Sequence, residues 1–160
     1  MAKDNDITFK YEELNGKFNF RVAALIENKD KVLLQKSAKD DYYCLIGGRV
    51  AFCENTKIAL IREIEEETGV KLNENDMKLF KVVENFFEYG GKKFHELLYV
   101  YKVHNKVLNK MDNFKTLDKD DCYNKWYLKE ELKNIDVRPN EFKEWICSKK
   151  TIEHIIIDEL

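Results

Sequence analysis

Proline occurs once in the 160-residue chain and glycine six times. That scarcity excludes collagen-like, linker-like and loop-dominated designs. No apolar run approaches the roughly 18 residues of a membrane span. The opening stretch, MAKDNDITFKYEELNGKFNF, has no continuous apolar core of the kind a secretory signal requires. Cys44, Cys53, Cys122 and Cys147 form no C-x-x-C pair and share no metal-ligand spacing with His95, His104 or His154. Scattered reduced thiols point to a cytoplasmic protein. Neither sign of charge dominates: 30 acids against 28 bases give a net charge of −2. Bulk attraction to nucleic acid or to an anionic membrane is therefore not expected. What is present, 44% hydrophobic residues over this length, suits one domain spanning residues 1–160.

Residues 18–26 and 32–35 read as strands around an Asn28-Lys29-Asp30-Lys31 turn, with a polar loop at 36–43. Residues 45–52 contain Gly47-Gly48 and read as a short strand broken by a tight turn. A helix is predicted over 55–68, capped by Asn55 or Thr56 and stopped at Gly69. Two further strands, 77–87 and 94–103, meet through Tyr89-Gly90-Gly91-Lys92. Residues 104–121 are polar and read as a loop, and 123–128 as a short strand followed by the Glu130-Glu131-Leu132 turn. Pro139 stands at a first helical position, before an apolar stripe of Phe142, Trp145 and Ile146. Trp145 reads as core on that stripe. Residues 152–157 read as a last strand. The interleaving implies one α/β (α+β) domain.

Residues 48–70, GRVAFCENTKIALIREIEEETGV, hold the chemistry. At about 100° per residue, Glu63, Glu66 and Glu67 share one helical arc, with Ala59 one turn earlier. Leu60, Ile61 and Ile64 fall mostly opposite, so the aliphatic side is expected on the sheet and the acidic side away from it. Stacked like charges repel by a few tenths of about 1 kcal/mol per pair on an exposed helix. Two resolutions exist: a solvated face offset by Arg62 and Lys57, or a divalent cation. Clustered oxygen donors suit Mg²⁺, which takes a few carboxylates together with substrate phosphates.

Gly48, Glu54, Arg62-Glu63-Ile64-x-Glu66-Glu67 and Gly69-Val70 keep the spacing of the Nudix box at every position. Such a match arises by chance on the order of once in 10⁷ chains of this length at average residue frequencies. The sequence therefore resembles the Nudix hydrolases, closely in the box and loosely over most of the chain. The resemblance implies an α/β/α sandwich with a mixed sheet flanked by helices. It also implies Mg²⁺- or Mn²⁺-dependent hydrolysis of a nucleoside diphosphate linked to another moiety. By position in the motif, Glu66 and Glu67 would be the principal metal ligands, and Glu63 a further ligand or the base acting on water. Arg62 would orient a box glutamate, Glu54 would support the loop–helix junction, and the Gly47 carbonyl would complete the metal shell. Gly48 and Gly69 have backbone reasons, a tight turn and a helix stop. Two positions depart from the family's habit: Ile46 stands where proline is common before the glycine pair, and Cys53 where glycine is common before the box glutamate. Cys53 reads as a small packed residue rather than a nucleophile, because no histidine accompanies it.

Outside the box, Glu96 in the 94–103 strand is either an extra ligand or base or a solvated rim residue, and His95 is a weaker candidate. Arg21 and Arg49, two of only four arginines, are candidates for phosphate contact or surface ion pairs. Tyr42, Phe86, Phe87 and Tyr89 offer rings to a base, with packing as the competing role. The expected substrate is a nucleoside triphosphate, nucleotide sugar or dinucleoside polyphosphate, acted on by a monomer or homodimer. The rival reading is a Nudix-fold sensor that binds a nucleotide derivative without cleaving it; isoprenoid diphosphate isomerisation shares the fold but needs further machinery. Residues 54–67 alone carry a net charge of −3, so everything outside them sums to +1. The near-neutral total conceals one acidic site.

Overall fold

Alternation along one long strand sets the layers. The computed structural model describes residues 5–147 and 152–158. In it β2 (Gly16–Asn28) sends Val22, Ala24 and Ile26 to one face and Ala23 and Leu25 to the other, as a period of two demands. The first set packs with Leu33, Ile46 and the helical residues Ala59, Leu60 and Ile64. The second packs with Val32, Leu34, Leu132, Phe142, Trp145 and Ile146. Helix α1 (Thr56–Thr68) thus covers one face, and α2 (Phe142–Cys147) with a 3-10 turn at Lys129–Asn134 covers the other. This is the expected sandwich around a mixed sheet, and Trp145 lies in its core.

The remaining strands are β1 (Thr8–Tyr11), β3 (Lys31–Ser37), β4 (Ile46–Arg49), β5 (Met77–Tyr89), β6 (Lys92–Val103), β7 (Phe114–Lys115), β8 (Cys122–Leu128) and β9 (Glu153–Asp158). Their order is β7-β8-β3-β2-β6-β5-β9, with β1 and β4 also paired to β2. The β2–β6 and β5–β9 pairs are parallel and the others antiparallel. The Gly90-Gly91 hairpin joins β5 to β6, both glycines having positive φ. Among the described residues no helix is long and apolar enough to cross a membrane.

Three expectations need correction. The Gly47-Gly48 pair does not break a strand; β4 runs through both residues against Ala23 and Val22 of β2. A Cβ at Gly47 would lie 2.1 Å from the Val22 carbonyl oxygen, so the missing side chain lets the two backbones approach. Pro139 does not open the last helix, which begins at Phe142; its carbonyl instead accepts from the Phe142 N–H at 3.1 Å. The 104–121 segment is more than a polar loop. It contains a 3-10 turn at Leu108–Lys110 and strand β7, and it buries Leu108 and Thr116.

Candidate active site

Helix α1 begins where the Asn55 side chain accepts from the N–H groups of Lys57 (3.1 Å) and Ile58 (3.0 Å). It ends at Gly69, whose φ of 73° is the left-handed cap expected of a glycine. The acidic arc does not point to solvent. Glu67 is 0% exposed and Glu63 7%, and Ala59 belongs to the apolar core rather than to a ligand surface. Periodicity alone assigns charged side chains to water; here cations, from the helix itself and from distant segments, meet them.

Arg62 is the first of these. Its guanidinium donates to Glu54 at 2.9 and 2.8 Å, to Glu63 at 2.6 Å and to Glu66 at 3.4 Å. It also reaches the Arg49 carbonyl at 2.9 Å, joining strand, turn and helix through one planar fork. Bonding to Glu54, and then to Glu63, outweighs burial and strengthens the hold of Arg62 on its proton. Glu54 in turn accepts from the Ala51 N–H at 3.0 Å. Gly48 serves this cluster by its size rather than by a tight turn. A Cβ there would stand 2.1 Å from the Glu63 carboxyl carbon, so the α-carbon of Gly48 is the seat on which that carboxylate rests.

Glu67 is held from two distant segments. Gln35 of β3 donates to it at 2.7 Å, and the Lys119 ammonium donates to its other oxygen. The Leu117 N–H donates to the Glu67 carbonyl at 3.0 Å, and Gln35 also meets Thr116 and Asn124, each at 3.4 Å. Burial raises the pKa of Glu67, and Lys119 and Gln35 oppose that rise. Neither Gln35 nor Lys119 was legible as a site residue, since each lies far from the box in sequence.

A cleft of about 500 Å³ opens beside this cluster. Glu63 and Glu66 line it together with Gly47, Gly48, Arg21, Arg49, Asp118 and Lys119. Arg21 is paired with Glu96 at 3.5 Å; burial is the strongest influence and works against the Arg21 charge, but Glu96, Cys44 and Glu63 together more than offset it. Arg49 donates to Asn19 at 3.2 Å and stands 3.5 Å from Asp6. Glu96, only 5% exposed, is therefore no solvated rim residue. Tyr89 and His95 lie apart from both the cleft lining and the carboxylate cluster. Tyr89 is at the hairpin end, donating to Asp40 at 2.8 Å and set edge-on to Tyr42. His95 is sandwiched between Phe18 and Phe86.

Among the described residues no three acidic, histidine or cysteine side chains converge closely enough to hold one metal ion. The chemistry of the donors, rather than their spacing, suits a hard divalent cation. The donors are carboxylates, two line the cleft, and the third already accepts a positively charged group, the Lys119 ammonium.

The NUDIX domain model matches residues 17–146, and the chain belongs to the Nudix family of hydrolases acting on phosphorus-containing acid anhydrides. No curated protein matches it in sequence. Among solved structures it is similar to a MutT protein from Bacillus halodurans, with 15% identity, a TM-score of 0.64, and 88% of this chain and 91% of that one covered. It is also similar to a Nudix hydrolase from Nitrosomonas europaea, with 18% identity, a TM-score of 0.57 and coverage of 88% and 79%. A UDP-X diphosphatase is similar at 16% identity, a TM-score of 0.53 and coverage of 86% and 66%. At these identities the likeness is one of fold.

Proposed function

We propose that the protein is a Mg²⁺- or Mn²⁺-dependent pyrophosphohydrolase that cleaves the diphosphate linkage of a nucleoside diphosphate derivative. The observation that carries this reading is the two-signed cleft: Glu63 and Glu66 on one wall, and Arg21, Arg49 and Lys119 among the other lining groups. Carboxylates suit a hard cation, and the cations suit the phosphates that accompany it. Glu66 and Glu67 would hold the ion with the Gly47 carbonyl. When bound, a divalent ion supplies neutralisation of the diphosphate charge and polarisation of a phosphoryl oxygen.

The chain's own groups do the rest. Arg21 and Arg49 bind and orient phosphate oxygens. A water attacks phosphorus and gives its proton to the Glu63 carboxylate, while the bond from phosphorus to the bridging oxygen breaks and the leaving phosphate departs with that oxygen. Arg62 keeps Glu63 aimed at the cleft. Glu96, the other candidate base, is spent on holding Arg21 at the lining. The substrate class comprises nucleoside triphosphates, nucleotide sugars and dinucleoside polyphosphates. The reading places a dissolved nucleotide derivative in the cytoplasm as partner, and a monomer or homodimer as the working form.

The test is turnover of a panel of those compounds with saturating Mg²⁺. Wild-type protein is expected to release phosphate-bearing products, and Glu66→Gln and Glu67→Gln each to lower kcat at least about 100-fold with the fold retained. Near wild-type turnover in both variants would sink the reading. Tight nucleotide binding by the wild type without product would favour a sensor.

A further inference from the structure

Lys119 lies on the segment between β7 and β8, far in sequence from α1, yet its ammonium bonds the carboxylate of the fully buried Glu67. The segment is fixed there by backbone and side chain alike. The Leu117 N–H donates to the Glu67 carbonyl at 3.0 Å, and Thr116, 3% exposed, accepts from Asn124 at 2.9 Å. The side chain of Lys119 itself remains 37% exposed and lines the cleft beside Glu63 and Glu66. One end of the contact is therefore immovable, and the other is a flexible stem at the edge of open space.

The ammonium occupies one Glu67 oxygen and the Gln35 amide the other, so a divalent cation taking this carboxylate meets the ammonium's charge and competes with it for the same lone pairs. Lysine is suited to such an exchange, because its point charge rides on four rotatable carbons and holds no planar geometry. We propose that Lys119 is a tethered cation that competes with the divalent metal ion for Glu67, so that Lys119 sets the metal affinity of the site. The proposal rests on the reading of Glu67 as a metal ligand. Lys119 acts through Glu67 and is a positioning residue, not a catalytic one.

The experiment is Mn²⁺ titration of the whole protein, followed by the electron paramagnetic resonance of free Mn²⁺ and without substrate. Lys119→Met is expected to bind Mn²⁺ about tenfold or more tighter than wild type, and Lys119→Arg to stay close to it. In a Glu67→Gln background the gain from Lys119→Met is expected to vanish. A residue with a merely structural role would weaken metal binding when removed, not tighten it. Equal or weaker binding by Lys119→Met overturns the proposal, as does a gain that survives Glu67→Gln. Equal Mn²⁺ affinity in wild type and Glu67→Gln instead overturns the assignment of Glu67 as a ligand, a separate failure. Should Lys119→Met not fold, the wild type carries the test through reductive methylation read by mass spectrometry. Mn²⁺ is expected to raise the modification rate of Lys119 several-fold, and an unchanged rate overturns the proposal.

Discussion

The carboxylate of Glu63 rests against the α-carbon of Gly48, leaving no room for a methyl group between helix and strand. The neighbouring glycine meets backbone instead, the Val22 carbonyl oxygen. Alanine at the two positions is therefore expected to fail differently. Gly48→Ala displaces the far end of a flexible side chain, so kcat should fall at least about 100-fold while the melting temperature moves little. Gly47→Ala forces β4 from β2 and should cost about 1–3 kcal/mol of stability. Steady-state kinetics and thermal unfolding of both variants separate the two effects.

The planar fork of Arg62 reaches Glu54 twice, Glu63 and the Arg49 carbonyl. Lysine keeps the charge but not the fork. Arg62→Lys is expected to lose about 1–3 kcal/mol in chemical denaturation and to lower kcat, because Glu63 loses its orienting partner. Unchanged stability would show the fork to be dispensable.

Cys53 adopts φ 63°, at the third position of a turn closed by the Glu54 N–H to the Ala51 carbonyl at 3.1 Å. A left-handed third position favours glycine. Cys53→Gly is expected to stabilise the protein by up to about 1 kcal/mol, read as a higher denaturation midpoint. A lower midpoint would contradict the strain.

Burial pushes the Cys44 thiol up to about 11 and, with Asp40, the Tyr42 hydroxyl up to about 12. Both groups hold their protons in the folded state over a range where the unfolded chain releases them. Their stabilising contribution is thus complete below the ordinary thiol and phenol values and is lost as pH rises through 11 and 12. Unfolding free energy should fall along that alkaline limb, and Cys44→Ala should flatten its thiol part. The same burial shields Cys44, so native-state alkylation at neutral pH should mark the exposed Cys53 first.

Much of this was legible because it is local. Asn55 and Gly69 cap α1 through bonds within a few residues, and the box acids keep their spacing along one helix. The habitual glycine before the box glutamate, replaced here by Cys53, finds its reason in a left-handed turn that only coordinates reveal. What stayed hidden depends on distant segments. Arg62 stands against the box acids in the sequence itself, whereas Gln35 and Lys119, which meet Glu67, come from other elements. The glycine pair read as a break for the same reason, since only the presence of β2 alongside shows that the strand continues. Tyr89 stands at the hairpin end, outside the cleft lining, because hairpin length rather than spacing from the box decides its place.

The parallel pairing of β2 with β6, from Gly16 against Lys93 to Ile26 against Val103, closes a loop containing β3, β4, α1 and β5. Arg21 and Glu96 meet only across that closure. Helix α1 has the local signals to form early, within roughly a microsecond as isolated helices do, but its cleft cannot exist until the ends of this loop find each other. Chains dominated by such distant pairings fold on roughly the millisecond-to-second scale. Acquisition of the cleft should therefore lag behind acquisition of helicity during refolding, and a nascent chain should remain without a cleft until β6 has been synthesised.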